Sequence, residues 1–151
     1  MEIRRLHLSD EALAREAATR LKSEEERHGY APSLEHLRAL LADLDNFLIV
    51  ASEGRNPVGF LIAYRMPKIA RDASMVYLYE IGVDPEYRRR GIATQMIQLL
   101  KALCRERDVV EIWVGTENDN AAARALYART GAVVETEHTI EFVYTRESFM
   151  Q

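Results

Sequence analysis

The first part of the chain changes from a strand pattern to a helical one. Between Glu2 and Leu8, apolar residues alternate imperfectly with charged ones, which predicts a strand. Ser9-Asp10 then offers a helix cap, and apolar residues follow at helical spacing until the acidic run that begins at Glu24. Pro32-Ser33 opens a second predicted helix. Its apolar face carries Leu34, Leu37, Leu41 and Leu44.

From Asn46 the hydrophobic period becomes that of extended strands. Two apolar runs, 47–51 and 58–64, flank a turn at Gly54-Arg55-Asn56-Pro57 and predict a β-hairpin. A third run, 75–83, is dense in β-branched and aromatic residues and predicts another strand. We expect these three consecutive strands to pair antiparallel.

The last third of the chain has an α/β pattern. A helix from about Gly91 to Arg105 precedes a strand at Val109–Val114 and a helix from about Asn120 to Ala128, for which Gly131 is well placed as a stop. Cys104 falls on the inner side of the first of these helices and is interpreted as a core residue. The other residues expected to point inward from that helix are Ile92, Met96, Leu99 and Leu103.

The tail completes the order of elements. One or two more strands are expected at Ala132–Val134 and Thr139–Tyr144. The elements then run β-α-α-β-β-β-α-β-α-β(β), which predicts an α/β fold with a mixed sheet and helices on both faces. With 151 residues, 48% of them hydrophobic, the chain is long enough for one core and too short for two ordinary domains. We therefore expect residues 1–151 to form one domain.

Composition excludes several classes of function. The 20 Lys and Arg against 24 Asp and Glu give a net charge of −4, which argues against binding nucleic acid by bulk charge. No apolar run approaches the ~20 residues of a membrane span, and Met1 leads into no signal-type stretch, so we expect a cytoplasmic protein without membrane contact. The four histidines lack metal-ligand spacing, so no metal is expected.

The junction at residues 83–93, VDPEYRRRGIA, is the first candidate for a functional site. A helix that opens there points free backbone N–H groups and partial positive charge at whatever lies in front of it, which suits a phosphate. Gly91 and Ala93 let the backbone approach a pyrophosphate, while Arg88-Arg89-Arg90 adds charge and donors. Taken alone, the pattern favours an ordinary basic loop before a helix.

A second motif, Asn120-x-x-Ala123-x-x-Leu126-Tyr127-x-x-x-Gly131, follows in the next helix. Together with residues 83–93 it resembles the GNAT superfamily of acetyl-coenzyme A dependent N-acetyltransferases, whose helices and hairpin occur here in family order. No Gly-Lys-Ser/Thr follows Gly91 and no Gly-x-Gly-x-x-Gly exists in the chain, unlike P-loop and Rossmann proteins. The resemblance implies acetyl-CoA as cosubstrate and a homodimer paired through the last strands.

Within that superfamily, the chain resembles the gentamicin 3-N-acetyltransferase branch. The resemblance rests on Met66-Pro67-Lys68, on the strand at 76–83 with an acid three residues before its valine, and on RRRGIAT at 88–94. That branch has a histidine where this chain has Tyr87. It also has an aspartate near the phenylalanine of its last strand, where this chain has Glu141-Phe142-Val143.

The implied reaction is attack of a neutral amine on an acetyl thioester, which needs a proton acceptor, an oxyanion donor and a proton donor to the thiolate. Glu80 is the candidate base, because a carboxylate inside an apolar strand is expected to point into a wet pocket rather than merely lie on a half-exposed face. Strict alternation places it on one face with Val76 and Leu78, opposite Tyr77, Tyr79 and Ile81.

The remaining roles are implied by the resemblance. The Val83 N–H is the oxyanion donor, and Tyr127 is the acid unless it is a core tyrosine. Gly82 is expected to admit the cofactor, to form a bulge, or both, since the two are compatible, and Asn120 either binds the cofactor arm or caps its helix. The expected cofactor-binding residues are Ile81, Gly82, Val83, Arg88, Arg89, Arg90, Gly91, Ile92, Ala93, Thr94, Asn120 and Tyr127.

The substrate is expected to be the 3-amine of an aminoglycoside antibiotic, which would make this a resistance enzyme. The alternatives are a protein N-terminus, a polyamine or a small amine metabolite, or a non-catalytic coenzyme A-binding module. Tyr77, Tyr79 and Trp113 are interpreted as core or dimer contacts, with a wall of the substrate site as the alternative. The carboxylates that could surround Glu80 and a polycation are Asp72, Glu135, Glu137 and Glu141.

Overall fold

A computed structural model describes residues 1–21, 31–135 and 146–149, and contacts divide the chain into two compact units, Met1–Gly115 and Thr116–Gln151. In the first unit the strands are β1 (Glu2–Arg5), β2 (Asn46–Glu53), β3 (Asn56–Pro67), β4 (Ser74–Val83) and β5 (Val109–Val114). Its α-helices are α1 (Glu11–Arg20), α2 (Leu34–Ala42) and α3 (Ile92–Arg105), with short 3-10 helices at Leu8–Asp10 and Pro85–Tyr87. The described part of the second unit contains α4 (Ala121–Arg129) and α5 (Arg146–Phe149).

The five strands form one mixed sheet in the order β1-β2-β3-β4-β5. Each neighbouring pair from β1 to β4 is antiparallel, and β4 pairs parallel with β5. A parallel pair needs a long crossover, and α3 lies in the chain between these two strands. The predicted mixed sheet and its three consecutive antiparallel strands are confirmed.

Helices cover the two faces of the sheet separately. Gly59 in β3 lies against Ile92 and Met96 of α3. Its neighbour Phe60 packs instead against a buried cluster that includes Ala17 of α1. Since adjacent residues in a strand point to opposite faces, α3 covers one face, and α1 with α2 covers the other. The prediction of helices on both faces is confirmed.

The buried face of α3 differs from the predicted one. Leu99 and Leu103 are only half-buried. The buried residues of α3 follow a spacing of four, so the buried stripe inclines across the helix. The predicted residues would form a stripe that runs along the helix. Burial raises the pKa of the Cys104 thiol, in keeping with the predicted core role. The buried residues of α3 are Ile92, Met96, Ile97, Leu100 and Cys104.

The start of α1 also differs from the predicted cap. Asp10 precedes α1, but its side chain makes no capping hydrogen bond to that helix. Its carboxylate accepts instead from the His7 backbone N–H at 2.9 Å and from Arg4 Nη2 at 2.9 Å. The hydrogen bond from Arg4 lowers the pKa of Asp10. The acid therefore joins β1 to the beginning of α1.

Two other helix boundaries agree with the prediction, whereas α2 ends at Ala42, so Leu44, predicted on its apolar face, lies outside the helix and is 63% exposed. Ser33 caps α2, since its Oγ accepts from the His36 N–H at 3.1 Å. Gly131 follows α4 with φ +92°, as expected for a helix stop. The strand predicted at Ala132–Val134 is wrong, because the described residues 132–135 are not assigned to a strand. The predicted strand at 139–144 and the acidic run from Glu24 lie outside the described residues. The single domain and the homodimer stay predictions.

Over the described ranges, no helix has the length and apolarity needed to span a bilayer.

The Arg4–Asp10 contact should contribute stability that depends on pH. Because the folded-state pKa of Asp10 is lowered, its contribution is complete above the ordinary value of 3.8 and is lost as the pH falls below it. We expect Asp10→Asn to lower the free energy of unfolding by about 1 kcal/mol at pH 7, and the difference from wild type to shrink below pH ~4. Urea denaturation from pH 7 to pH 3 measures both.

A matched control is Glu16→Gln. Glu16 lies 3.7 Å from Arg20 in an exposed pair on α1, so this change should alter stability by less than about 0.5 kcal/mol. A difference between wild type and Asp10→Asn that is the same at every pH would contradict the assignment.

Candidate active site

Strand β4 continues past the end of its parallel neighbour. The β4–β5 ladder ends where Leu78 pairs with Val114. Within the described residues, no strand pairs with residues 79–83 on that side. Among the described residues, the outward backbone groups of this part of β4 have no strand partner, and one of them, the Val83 carbonyl, accepts from Arg88 Nε at 3.1 Å.

The direction of these open groups follows from one hydrogen bond. The Asp84 N–H donates to the Val58 carbonyl at 2.9 Å, toward β3. Successive residues of a strand direct their backbone groups to opposite edges, so Val83 and Ile81 direct theirs away from β3. This orientation supports the predicted backbone roles of Ile81 and Val83, which stay predictions.

A β-bulge in β4 changes the face on which Glu80 lies. Ala63 of β3 pairs with Leu78, whereas the adjacent Ile62 pairs with Glu80, so Tyr79 is an extra residue in β4. Paired residues share a face and adjacent residues do not, so Leu78 and Glu80 lie on opposite faces. The prediction that Glu80 shares a face with Leu78 is therefore wrong, because strict alternation does not continue through the bulge.

Three tyrosines lie on the face of Glu80. The ring centroid of Tyr79 is 6.0 Å from that of Tyr64 and 6.2 Å from that of Tyr77, each at an interplanar angle of 66°. Burial, together with the charges of Tyr79 and Glu80, raises the pKa of Tyr64. The half-buried Glu80 carboxylate is thus close enough to Tyr64 to affect its ionisation.

Exposure decides between the interpretations of two aromatic residues. Tyr79 is 64% exposed and Trp113, which pairs with Tyr77 across the β4–β5 ladder, is 43% exposed. Neither is a core residue. Sequence reasoning missed Tyr64, because its position beside Tyr77 depends on the register of β3 against β4, which the sequence alone does not show.

Gly82 has a packing role that the sequence did not indicate. The bulge lies at Tyr79 and not at Gly82, so the interpretation of Gly82 as a bulge is wrong. A Cβ atom at position 82 would lie 2.8 Å from Cε1 of Phe60. The Phe60 ring therefore lies directly over the strand at the residue between Ile81 and Val83.

The loop after β4 is shaped by two residues with positive φ. Arg89 has φ +60° and Gly91 has φ +77°. The left-handed conformation costs a non-glycine residue such as Arg89 about 1–2 kcal/mol, so the loop stores backbone strain. Gly91 precedes α3 and provides no side-chain cap, which leaves the first N–H groups of that helix available to an anion.

The three arginines of the loop are exposed and two of them are anchored. Arg88 Nε donates to the Val83 carbonyl at 3.1 Å, which joins the loop to the open edge of β4. Arg90 Nη2 donates to the Glu86 carbonyl at 3.0 Å, and its guanidinium lies 4.9 Å from the ring centroid of Tyr87. The loop thus holds positive charge next to the uncapped helix start.

Tyr87, which stands where the resembling branch has histidine, contacts a carboxylate. Its hydroxyl donates to Glu53 Oε2 at 3.1 Å, and this contact raises the pKa of Tyr87. The tyrosine therefore supports the loop by a hydrogen bond to the end of β2.

The second unit contributes two candidate residues. Asn120 caps α4, since its Oδ1 accepts from the Ala123 N–H at 3.0 Å. The capping interpretation is confirmed, while a contact of Asn120 with the cofactor stays a prediction. Tyr127 is a half-buried residue of α4, and its role as the acid also stays a prediction.

The predicted substrate carboxylates are scattered in the described structure. Asp72 is exposed in the loop between β3 and β4, and Glu135 is exposed after α4. Glu137 and Glu141 lie outside the described residues. In the part of the chain that the structure describes, no group of three His, Cys, Asp or Glu side chains could hold a metal ion.

Comparison with known proteins identifies the family. The profile of the acetyltransferase (GNAT) family matches residues 11–132. The chain belongs to this family. The predicted superfamily and fold are confirmed, and enzymes of this family use acetyl-CoA.

Curated relatives of this acetyltransferase are diverse. The L-2,4-diaminobutyric acid acetyltransferase of Marinococcus halophilus is 30% identical over 105 residues, covering 67% of this chain and 57% of that protein. The alanine N-acetyltransferase of ribosomal protein bS18 from Escherichia coli K12 is 32% identical over 73 residues, 48% of each protein. The chain spans about half the length of the curated relatives it matches.

Solved structures also match this chain, over nearly its whole length. An aminoglycoside acetyltransferase from an uncultured soil metagenomic sample, in complex with sisomicin, superposes with a TM-score of 0.86 at 25% identity, covering 95% of each chain. A second aminoglycoside acetyltransferase from such a sample has a TM-score of 0.80 at 28% identity, covering 95% of this chain and 98% of its own.

The residues of this acetyltransferase fit acetyl-CoA chemically. The open edge of β4 presents N–H and C=O groups that match an amide-containing arm, and the uncapped start of α3 with its arginines matches a pyrophosphate. Acetyl-CoA would supply the activated acetyl thioester.

A substitution at Gly82 tests the packing of Phe60 on β4. We expect Gly82→Ala to lower the free energy of unfolding by about 1–3 kcal/mol, because the new methyl group meets the Phe60 ring. Gly91→Ala is the matched control: the nearest atom to its Cβ is Gln95 Nε2 at 3.8 Å, so only the φ of +77° is penalised, by about 1–2 kcal/mol.

A double-mutant cycle shows whether the contact with Phe60 causes the loss of stability in Gly82→Ala. Adding Phe60→Leu should recover part of the stability lost in Gly82→Ala and none of that lost in Gly91→Ala. Chemical denaturation of the single and double variants provides the measurement, and equal recovery in both backgrounds would contradict the contact.

Proposed function

We propose that this acetyltransferase transfers the acetyl group of acetyl-CoA to an amine of an aminoglycoside, at the 3-position. The observation that carries this proposal is the superposition on the aminoglycoside acetyltransferase in complex with sisomicin, with a TM-score of 0.86 over 95% of the chain. The acidic net charge of −4 and the Glu80 carboxylate beside exposed aromatic rings favour a cationic amine substrate.

The cofactor would be held by two adjoining parts of the first unit. The backbone groups of Ile81 and Val83 would bind the arm along the open edge of β4, and Arg88–Thr94 would bind the pyrophosphate. The hydrogen bond from Arg88 to the Val83 carbonyl supports this arrangement, because it keeps the loop next to the edge. We include Asn120 of the second unit in the cofactor contacts on the sequence motif alone.

The proton and charge movements are assigned to three residues. Glu80 would accept a proton from the substrate ammonium, so that the neutral amine can attack the thioester carbon. The Val83 N–H would donate to the oxyanion that forms on the carbonyl oxygen. Tyr127 would give a proton to the leaving thiolate.

A second candidate substrate is a small diamine. The chain is 30% identical over 105 residues to L-2,4-diaminobutyric acid acetyltransferase, an enzyme whose named substrate carries two amines. This alternative uses the same cofactor site and the same base and differs in the acceptor alone.

A substrate panel tests the proposed function. We expect release of free coenzyme A thiol with aminoglycosides that have a free 3-amine, and at least 10-fold lower kcat/KM with 2,4-diaminobutyrate, spermidine and a basic peptide. The site of acetylation is read by NMR of the product. Higher kcat/KM with 2,4-diaminobutyrate would favour the second candidate, and no turnover together with tight coenzyme A binding would favour a non-catalytic module.

Glu80→Gln tests the base. Because the amide cannot accept the proton, we expect kcat to fall by about 10²–10⁴-fold, while the affinity for coenzyme A stays within twofold. Stopped-time thiol assays and calorimetry measure the two quantities. Glu106→Gln is the control, since Glu106 is exposed after α3 and removed from the open edge. Retained turnover in Glu80→Gln would exclude Glu80 as the base.

A further inference from the structure

We propose that Tyr64, Tyr77 and Tyr79 form a wall that binds a second ammonium group of the substrate, beside the amine that reacts at Glu80. We call these three residues the tyrosine wall. The inference rests on the proposed amine acetylation and adds a substrate requirement: the acceptor carries at least two cationic amines.

The bulge brings the components of the wall together. Without the extra residue at Tyr79, Glu80 would lie on the α3 face with Leu78, away from Tyr64. With it, the carboxylate and the tyrosines occupy one face of β3 and β4. The raised pKa of Tyr64, caused in part by Tyr79 and Glu80, is consistent with this proximity.

The ring geometry suits a cation. Tyr79 meets both neighbours at 66°, so the rings are inclined toward one another. The centroid separations of 6.0 and 6.2 Å allow one ammonium group to lie within about 6 Å of more than one ring. Such an arrangement attracts an alkylammonium ion through the ring quadrupoles.

The wall is also available to a ligand. Elsewhere in the described residues, arginines already lie over aromatic rings: Arg5 and Arg107 over Phe47, and Arg90 over Tyr87. Within residues 1–21, 31–135 and 146–149, no arginine or lysine lies in this way over the tyrosine wall.

Lys68, directly after β3, has an anionic partner of its own. Lys68 forms an ion pair with Glu111, which precedes Trp113 by two residues on β5. Tyr79 is 64% exposed and Trp113 is 43% exposed, and this aromatic surface has no arginine or lysine over it among the described residues.

The chemistry of the reaction explains why a second ammonium group matters. The attacking amine has to lose a proton to Glu80 and become neutral, so it cannot itself remain a cation for the rings. A second amine keeps its charge throughout and can anchor the substrate. Aminoglycosides and polyamines have such a group, whereas a monoamine does not.

Equilibrium binding to the full chain, with coenzyme A present, tests the wall. Kanamycin and spermidine serve as polycationic probes and butylamine as the monoamine, measured by calorimetry and by fluorescence of Trp113, the single tryptophan. We expect Tyr79→Leu to weaken binding of the polycations by about 3- to 30-fold and to change butylamine binding by less than twofold.

Two further variants show whether the aromatic ring of Tyr79 accounts for the change in affinity. Tyr79→Phe keeps the aromatic face and should recover most of the affinity lost in Tyr79→Leu. Val110→Ala is the matched control, because Val110 is an exposed apolar residue of β5, 49% exposed, outside the proposed sites. It should bind all probes as wild type does.

The outcomes distinguish this inference from the proposed function. Equal affinities in Tyr79→Leu and Tyr79→Phe would overturn the wall even if aminoglycosides are acetylated. Selective loss in Tyr79→Leu would support the wall even if no aminoglycoside is acetylated. If light scattering shows that Tyr79→Leu dissociates a dimer while binding is unchanged, the face is a contact between two copies and the wall is overturned.

Discussion

The separation of β4 from β5 after Leu78 is the constraint on which the candidate site depends. A strand inside a sheet has its backbone groups paired on both sides, whereas β4 beyond this point is paired with β3 alone among the described strands. An unpaired edge inside a protein is costly unless a ligand satisfies it. The loop before α3 is joined to this part of β4 by the hydrogen bond from Arg88 Nε to the Val83 carbonyl, so the proposed arm-binding edge and the proposed anion-binding loop adjoin.

The bulge at Tyr79 supplies the second half of the site. It turns Glu80 away from the face packed by α3 and toward the face with Tyr64, at the point where β4 loses its parallel partner. On the α3 face a carboxylate would lie beside the buried Leu78 and be desolvated, whereas on the other face it lies beside Tyr79, which is 64% exposed. One extra residue in a strand thus decides whether this acid can take part in chemistry.

Much of the fold could be predicted because hydrophobic period and turn residues act locally. The range Val109–Val114 was predicted as the structure has it, and α3 differs by one residue at its start. The face of Glu80 could not be predicted, since a bulge depends on the pairing with β3 and leaves no signal in β4 itself. The packing of Phe60 on Gly82 was inaccessible for the same reason: it joins two strands.

The use of backbone groups along the open edge has an evolutionary consequence. Ile81 and Val83 would act through N–H and C=O groups, which every residue except proline provides in full. Their side chains can therefore drift among strand-forming residues without loss of the edge, while Gly82 between them is held by the ring above it. Such a division between drifting and fixed positions would preserve the edge at identities as low as the 25% to 30% that this chain shares with proteins it matches.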